Sequence, residues 1–136
     1  MSSINSYKFL LKRYTGVLLD TSIIIQAIQD KVDLIRELKE EFGLKVYVPK
    51  SVLNELEKLK SKNIKMSNIV TLAIKSLKNK IEVLDISAKS TDDAIIKLAS
   101  SNNFIVATND SNLKDRLKML GIPVIYINRD GYLSIE

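Results

Sequence analysis

The sequence predicts an α/β domain built on a parallel sheet, and three observations carry that prediction. Short, almost wholly apolar runs alternate with longer segments in which apolar residues recur at helical spacing. The joins between them are short, as right-handed crossovers in a helix-covered sheet require. Two of the runs end directly in polar residues, as in GVLLD and FIVATND, which is how buried strands finish at the sheet edge where α/β proteins place their ligands.

Each element follows in order. The run 15–19 predicts the first strand, and 22–42 predicts one or two helices, with Gly43 at the position just past a helix end. The β-rich run 44–48, stopped by Pro49, is the second strand. Over 51–59, Val52, Leu53, Leu56 and Leu59 share one helical face, and 66–77 is a further helix beyond a basic loop. The run 81–86 gives the third strand. A helix beginning at Ser90 or Thr91 turns Ile95, Ile96, Leu98 and Ala99 to the core, and 104–107 is the fourth strand. Asp110 or Asn112 caps a helix ending at Gly121, 123–127 is the fifth strand, and 131–135 adds a short edge strand. Tyr14, Tyr47 and Tyr126 fall in or beside strands and are expected to pack in the core or at an edge.

Composition narrows the chemistry. A chain of 136 residues with 46% hydrophobic residues suits one domain over 1–136, with its core over about 15–128, a short N-terminal extension and a C-terminal edge segment. No apolar stretch is long enough to cross a bilayer, and the start lacks the pattern of a secretory leader, so a cytoplasmic protein with no membrane association is expected. With no Cys and no His, thiolate and imidazole catalysis and their metal sites are excluded. Oxygen ligands remain. The net charge of +5 suits a polyanionic partner and equally suits a plain solvated surface.

Against that basic background, four carboxylates stand where apolar runs meet polar ones: Asp20, Glu55, Asp93 and Asp110. If the first and fourth strands are neighbours, Asp20 and Asp110 emerge side by side. Converging carboxylates repel unless a hard cation such as Mg²⁺ or Mn²⁺ neutralises them. Each also has a purely structural explanation. Asp20 suits a helix N-cap, Glu55 an exposed helical Glu, Asp92 and Asp93 the capping box STDD, and Asp110 a turn and cap. Asp115 is expected to pair with Lys118 along one helix.

Taken together, LLDTS at 18–22, VPKSVLNELEKL at 48–59, TDDAIIKLA at 91–99 and FIVATND at 104–110 followed by LKDRLKMLGIPVIYI resemble the PIN-domain family of metal-dependent ribonucleases. The resemblance runs from Gly16 to Asn128. It implies a five-stranded parallel sheet of order 3-2-1-4-5 between helices, with Asp20, Glu55, Asp93 and Asp110 as the catalytic and metal-holding set for Mg²⁺ or Mn²⁺. Asp93 rather than Asp92 matches the family pattern because it directly precedes the apolar AII run. Where many members carry a fifth acid, this chain has Asn112, which offers an oxygen without charge; Asp92 could partly compensate.

The implied activity is endonucleolytic hydrolysis of RNA, leaving a 5′-phosphate and a 3′-hydroxyl. Thr21, Ser22, Asp92, Thr108, Asn109 and Asn112 are the supporting residues, and Lys58, Lys60, Lys62, Lys65, Lys114 and Arg116 are candidates to contact a single-stranded RNA. The resemblance allows two settings, the toxin of a pair with a small antitoxin protein or an RNA-processing nuclease, and suggests a homodimer formed through 51–80. The competing functional reading is a PIN-fold RNA-binding or scaffold protein without turnover. A haloacid-dehalogenase-type phosphotransferase is disfavoured because Ser22 stands where its DxDxT motif needs Asp, and a receiver domain because 124–128 lacks the Lys it needs.

Overall fold

The computed structural model describes residues 8–136, so the first seven residues of the expected N-terminal extension lie outside the described residues. Its centre is a sheet of order β3-β2-β1-β4-β5-β6. The strands are β1 (Gly16–Leu19), β2 (Val46–Pro49), β3 (Glu82–Leu84), β4 (Phe104–Ala107), β5 (Val124–Ile127) and β6 (Leu133–Ile135). The first five run parallel, in the order 3-2-1-4-5, and β6 adds an antiparallel edge to β5. All four residues of β1 and all four of β4 are buried, as expected of central strands covered on both faces.

Between strands run α1 (Thr21–Gln29), the short α2 (Leu34–Arg36) continued by a π-helical turn over Glu37–Glu41, α3 (Lys50–Leu59), α4 (Ile64–Leu77), α5 (Thr91–Asn102) and α6 (Ser111–Met119). The π turn is absent from the expected pattern. It ends at Phe42, after which Gly43 takes φ +68°, the left-handed conformation expected past a helix end. Strand β2 keeps Pro49 as its last residue. Helix α4 starts two residues earlier than its apolar face suggests, because Asn63 Oδ1 accepts the Met66 N–H at 2.8 Å and caps it. Leu53, Leu59 and Ile96, expected in the core, are only partly buried at its margin, whereas Val52, Leu56, Ile95, Leu98 and Ala99 lie fully inside. Tyr47 stacks edge-on against Phe104 with ring centres 5.0 Å apart. Among the described residues, no helix is long and apolar enough to cross a membrane.

The arrangement positions the site through one register. Leu19 of β1 pairs with Ala107 of β4, so the residues that follow them, Asp20 and Thr108, leave the sheet together at its carboxyl edge. On its other side β1 approaches β2 closely at Gly16, where an added Cβ would lie 2.6 Å from the Lys45 carbonyl oxygen and from the Tyr47 ring. Gly16→Ala is therefore expected to cost about 1–3 kcal/mol, the range of an overpacked core, measured by urea unfolding; an unchanged midpoint would mean that β1 and β2 separate without penalty.

Candidate functional site

Asp20 is the innermost of the acidic residues, only 5% exposed. Its Oδ1 accepts the Ile23 N–H at 3.0 Å and the Ser22 hydroxyl at 2.7 Å, and its Oδ2 accepts the Thr108 hydroxyl. The capping explanation is thus correct as far as it goes, since Asp20 is the N-cap of α1. It does not account for the charge. Among the described residues Asp20 has no ion-pair partner, and a buried ion without a counter-charge is costly. Burial, opposed by the bonds from Thr108, Ile23 and Ser22 and reinforced by the charge of Asp110, lifts its pKa to about 6. A carboxylate has about four lone-pair sites; the bonds to Ser22, Ile23 and Thr108 use three of them.

Thr108 and Ser22 tie the strand ends together. The fully buried Thr108 donates to Asp20 and accepts the Asp110 N–H at 3.0 Å, and its hydroxyl lies 3.2 Å from that of Ser22. Ser22 Oγ in turn accepts the Asn109 N–H at 3.0 Å. The Asn109 amide binds both the N–H and the carbonyl of Ile127, each at 2.9 Å, which fastens the end of β4 to β5. Asp110 is the N-cap of α6, its Oδ1 accepting from the N–H groups of Asn112 and Leu113. Glu55, on α3, accepts the Thr21 hydroxyl at 2.5 Å.

Asp20, Thr21, Ser22, Glu55, Asp92 and Asp110 line one open cavity of about 360 Å³. Burial raises the pKa of Asp92, and the charges of Asp110, Glu55 and Asp93 add to the rise against the opposing Arg116. Asp93, the residue matched by the family pattern, is not among the lining residues; its Oδ1 lies 3.3 Å from Arg116 Nη2 in an ion pair. Asn112 also lies outside the lining, on the exposed first turn of α6. No three acidic side chains form a ready-made metal cluster among the described residues.

The basic residues divide. Lys58, Lys62 and Lys65 are exposed and have no ion-pair partner among the described residues. Lys60 pairs with Glu57 at 3.4 Å, and Arg116 with Asp93. Lys114 lies 3.9 Å from Glu136 and 4.0 Å from the centre of the Tyr126 ring. Lys118 pairs with Glu136 at 3.3 Å rather than with Asp115. Sequence reasoning missed the apolar lining of the cavity, Ile25, Leu59 and Met66. Periodicity assigns such half-buried residues to the core margin, and only the fold shows that three helices bring them to one opening.

Comparison with known proteins places the chain and its fold. The family profile described as "PIN like domain" matches residues 17–130. Ribonuclease VapC4 of Methanocaldococcus jannaschii is 33% identical over 122 residues, covering 85% of this chain and 92% of that protein. The rRNA-processing protein FCF1 of Saccharomyces cerevisiae is 32% identical over 134 residues, covering 93% of this chain and 67% of that protein. Among solved structures, the PIN domain endonuclease Utp24 superposes with a TM-score of 0.73 at 28% identity, over 88% of this chain and 90% of that one.

The buried carboxylate has a measurable consequence for the metal-free protein. Because Asp20 has a folded pKa of about 6 against 3.8 for the ordinary group, the folded state holds the proton more tightly than the unfolded state. Stability is therefore fully present below the unfolded value and falls as pH rises through the folded one, by on the order of 3 kcal/mol. In chelator-treated protein, Asp20→Asn is expected to flatten this fall, leaving the variant more stable than wild type near about pH 7.5 and equal to it near about pH 4. A variant less stable than wild type at the higher pH would show that the three hydrogen bonds outweigh the burial of the charge.

Proposed function

The chain belongs to the PIN-domain family, and from that premise we propose that it is an Mg²⁺- or Mn²⁺-dependent endoribonuclease acting at the carboxylates of this cavity. Relatives that are a ribonuclease, an rRNA-processing protein and a PIN endonuclease support a PIN ribonuclease. The observation that carries the metal is the charge of Asp20, buried, held in one orientation and unanswered by any cation among the described residues. The donor set is all oxygen, as hard cations prefer. Mg²⁺ commonly keeps several waters and takes only one or two carboxylates directly, a demand that Asp20 and Asp110 with water would meet.

In this reading Asp20 and Asp110 hold the ion, directly or through water, with the pair Asp92 and Asp93 completing the acidic set; of those two, Asp92 takes the place facing the cavity. When bound, the cation makes a water more acidic and offsets charge on the phosphoryl group. The protein's own groups do the rest. Thr108 and Ser22 keep Asp20 in a single orientation, Asn109 keeps the end of β4 against β5, and Thr21 holds Glu55 where it can position the attacking water and take its proton. Lys58, Lys62 and Lys65, free of ion pairs among the described residues, carry the RNA backbone. Lys60 and Arg116 contribute through exposed pairs that are worth little and break readily.

The two kinds of relative suit two settings: a toxin restrained by a small antitoxin protein, or a nuclease that matures RNA. A homodimer through α3 and α4 accompanies either, and the exposed Leu72 of α4 is available to it.

Labelled RNA is expected to be cut with Mn²⁺ or Mg²⁺, to be spared in EDTA, and to be cut at least about 100-fold more slowly by Asp20→Asn and Asp110→Asn, the scale on which metal ligands and their supports act. RNA bound yet uncut in every metal would favour an RNA-binding role without turnover. Of the adjacent acids, Asp92→Asn is expected to lose more activity than Asp93→Asn. A larger loss in Asp93→Asn would mean that Asp93 leaves Arg116 when the ion binds.

A further inference from the structure

The acidic cavity has a second wall of opposite character. Ile25 of α1, Leu59 at the end of α3 and Met66 in the first turn of α4 share its lining with the carboxylates. All three are half-buried and packed against the margin of the core. None offers a donor, acceptor or charge that a phosphate or a hydrated ion could use. The wall is held in place, because the Asn63 cap fixes the backbone of Met66 and α1 packs directly on α4. Lys58, Lys62 and Lys65 lie on and between the ends of α3 and α4, the elements that bear Leu59 and Met66.

We infer that this apolar wall is a shelf for an unpaired nucleobase next to the bond that is cut, in the single-stranded RNA that the sequence already suggests. The inference rests on the nuclease reading and deepens it. A nucleotide joins an anionic phosphate to a flat, largely apolar base. The cavity offers a place for each: carboxylates and their cation for the phosphate, an aliphatic and thioether surface for the face of the base. At about 360 Å³ the cavity falls within the size range of small-ligand clefts, roughly 300–1,000 Å³. Base faces are alike across sequence, and side chains without hydrogen-bonding groups read no base edge, so the shelf registers that a base is free rather than which base it is. A base held in a duplex has to be unpaired and unstacked before it reaches the shelf, which slows cutting of paired RNA. Met66 is the principal contact, since an unbranched thioether adapts to rings of either size.

The test uses the full chain with Mn²⁺ and oligonucleotides that carry a single base-free residue on either side of the cleaved bond. Wild type is expected to cut the intact strand best, the duplex at least about tenfold more slowly, and one of the base-free strands about tenfold more slowly, tenfold corresponding to roughly 1.4 kcal/mol. Met66→Gln, which keeps the length of the side chain, is expected to lower kcat/KM on the intact strand by a similar factor, mainly through KM. That loss should not add to the loss from removing the base, and Met66→Leu should restore cutting. Leu59→Gln provides a second variant on a different helix, and thermal melting confirms that each is folded. Losses that multiply, or a folded Met66→Gln that cuts like wild type, overturn the shelf while the nuclease stands. A wild type that cuts no RNA overturns the nuclease reading and the shelf with it.

Discussion

A carboxylate buried between two strand ends at the floor of an open cavity, with no cation among the described residues to answer it, is the constraint around which the site is arranged. Asp20 leaves the central strand β1 at the level of Ala107 on β4, and its two oxygens are taken up by Ser22, Ile23 and Thr108. These bonds favour the charged form and burial disfavours it; burial wins, and the pKa stands at about 6. At neutral pH the group is therefore ionised at a cost to the fold. Such strain persists where it serves a site, and a divalent cation relieves it directly.

The surrounding structure keeps that carboxylate fixed and its neighbours close. Parallel pairing of β1 with β4 places Thr108 beside Asp20, and the Asn109 bridge to Ile127 extends the same edge to β5. Helices α1, α3 and α5 then deliver Ser22, Glu55 and Asp92 to the same opening. The result has two chemical faces, one anionic and one apolar, and the helices that bear the apolar face also carry lysines without an ion-pair partner among the described residues. That division suits a substrate whose own parts are divided in the same way.

Much of this was legible in the chain because buried strands write themselves as continuous apolar runs. GVLLD and FIVATND mark β1 and β4, and their neighbourhood in the 3-2-1-4-5 order brings Asp20 to Thr108, Asn109 and Asp110. Other features were not legible. Asp92 and Asp93 stand side by side in one capping turn, and motif spacing favours the second. In the fold Arg116, from a helix 23 positions away, engages Asp93 and leaves Asp92 at the cavity. Lys114 looks like a member of a free basic cluster, and Lys118 like the partner of Asp115, until β6 folds back along β5 and presents Glu136 to both. Local rules of the i,i+3 kind cannot anticipate partners that arrive through sheet topology.

The most direct test is calorimetric titration of Mn²⁺ into the metal-free protein near about pH 6, repeated in two buffers that differ in heat of ionisation. With Asp20 about half-protonated there, binding is predicted to release a substantial fraction of a proton, and that release should fall sharply in Asp20→Asn, leaving only the part that Asp92 contributes. Binding without proton release, or release that persists unchanged in the variant, would contradict the assignment of the buried carboxylate as the seat of the cation.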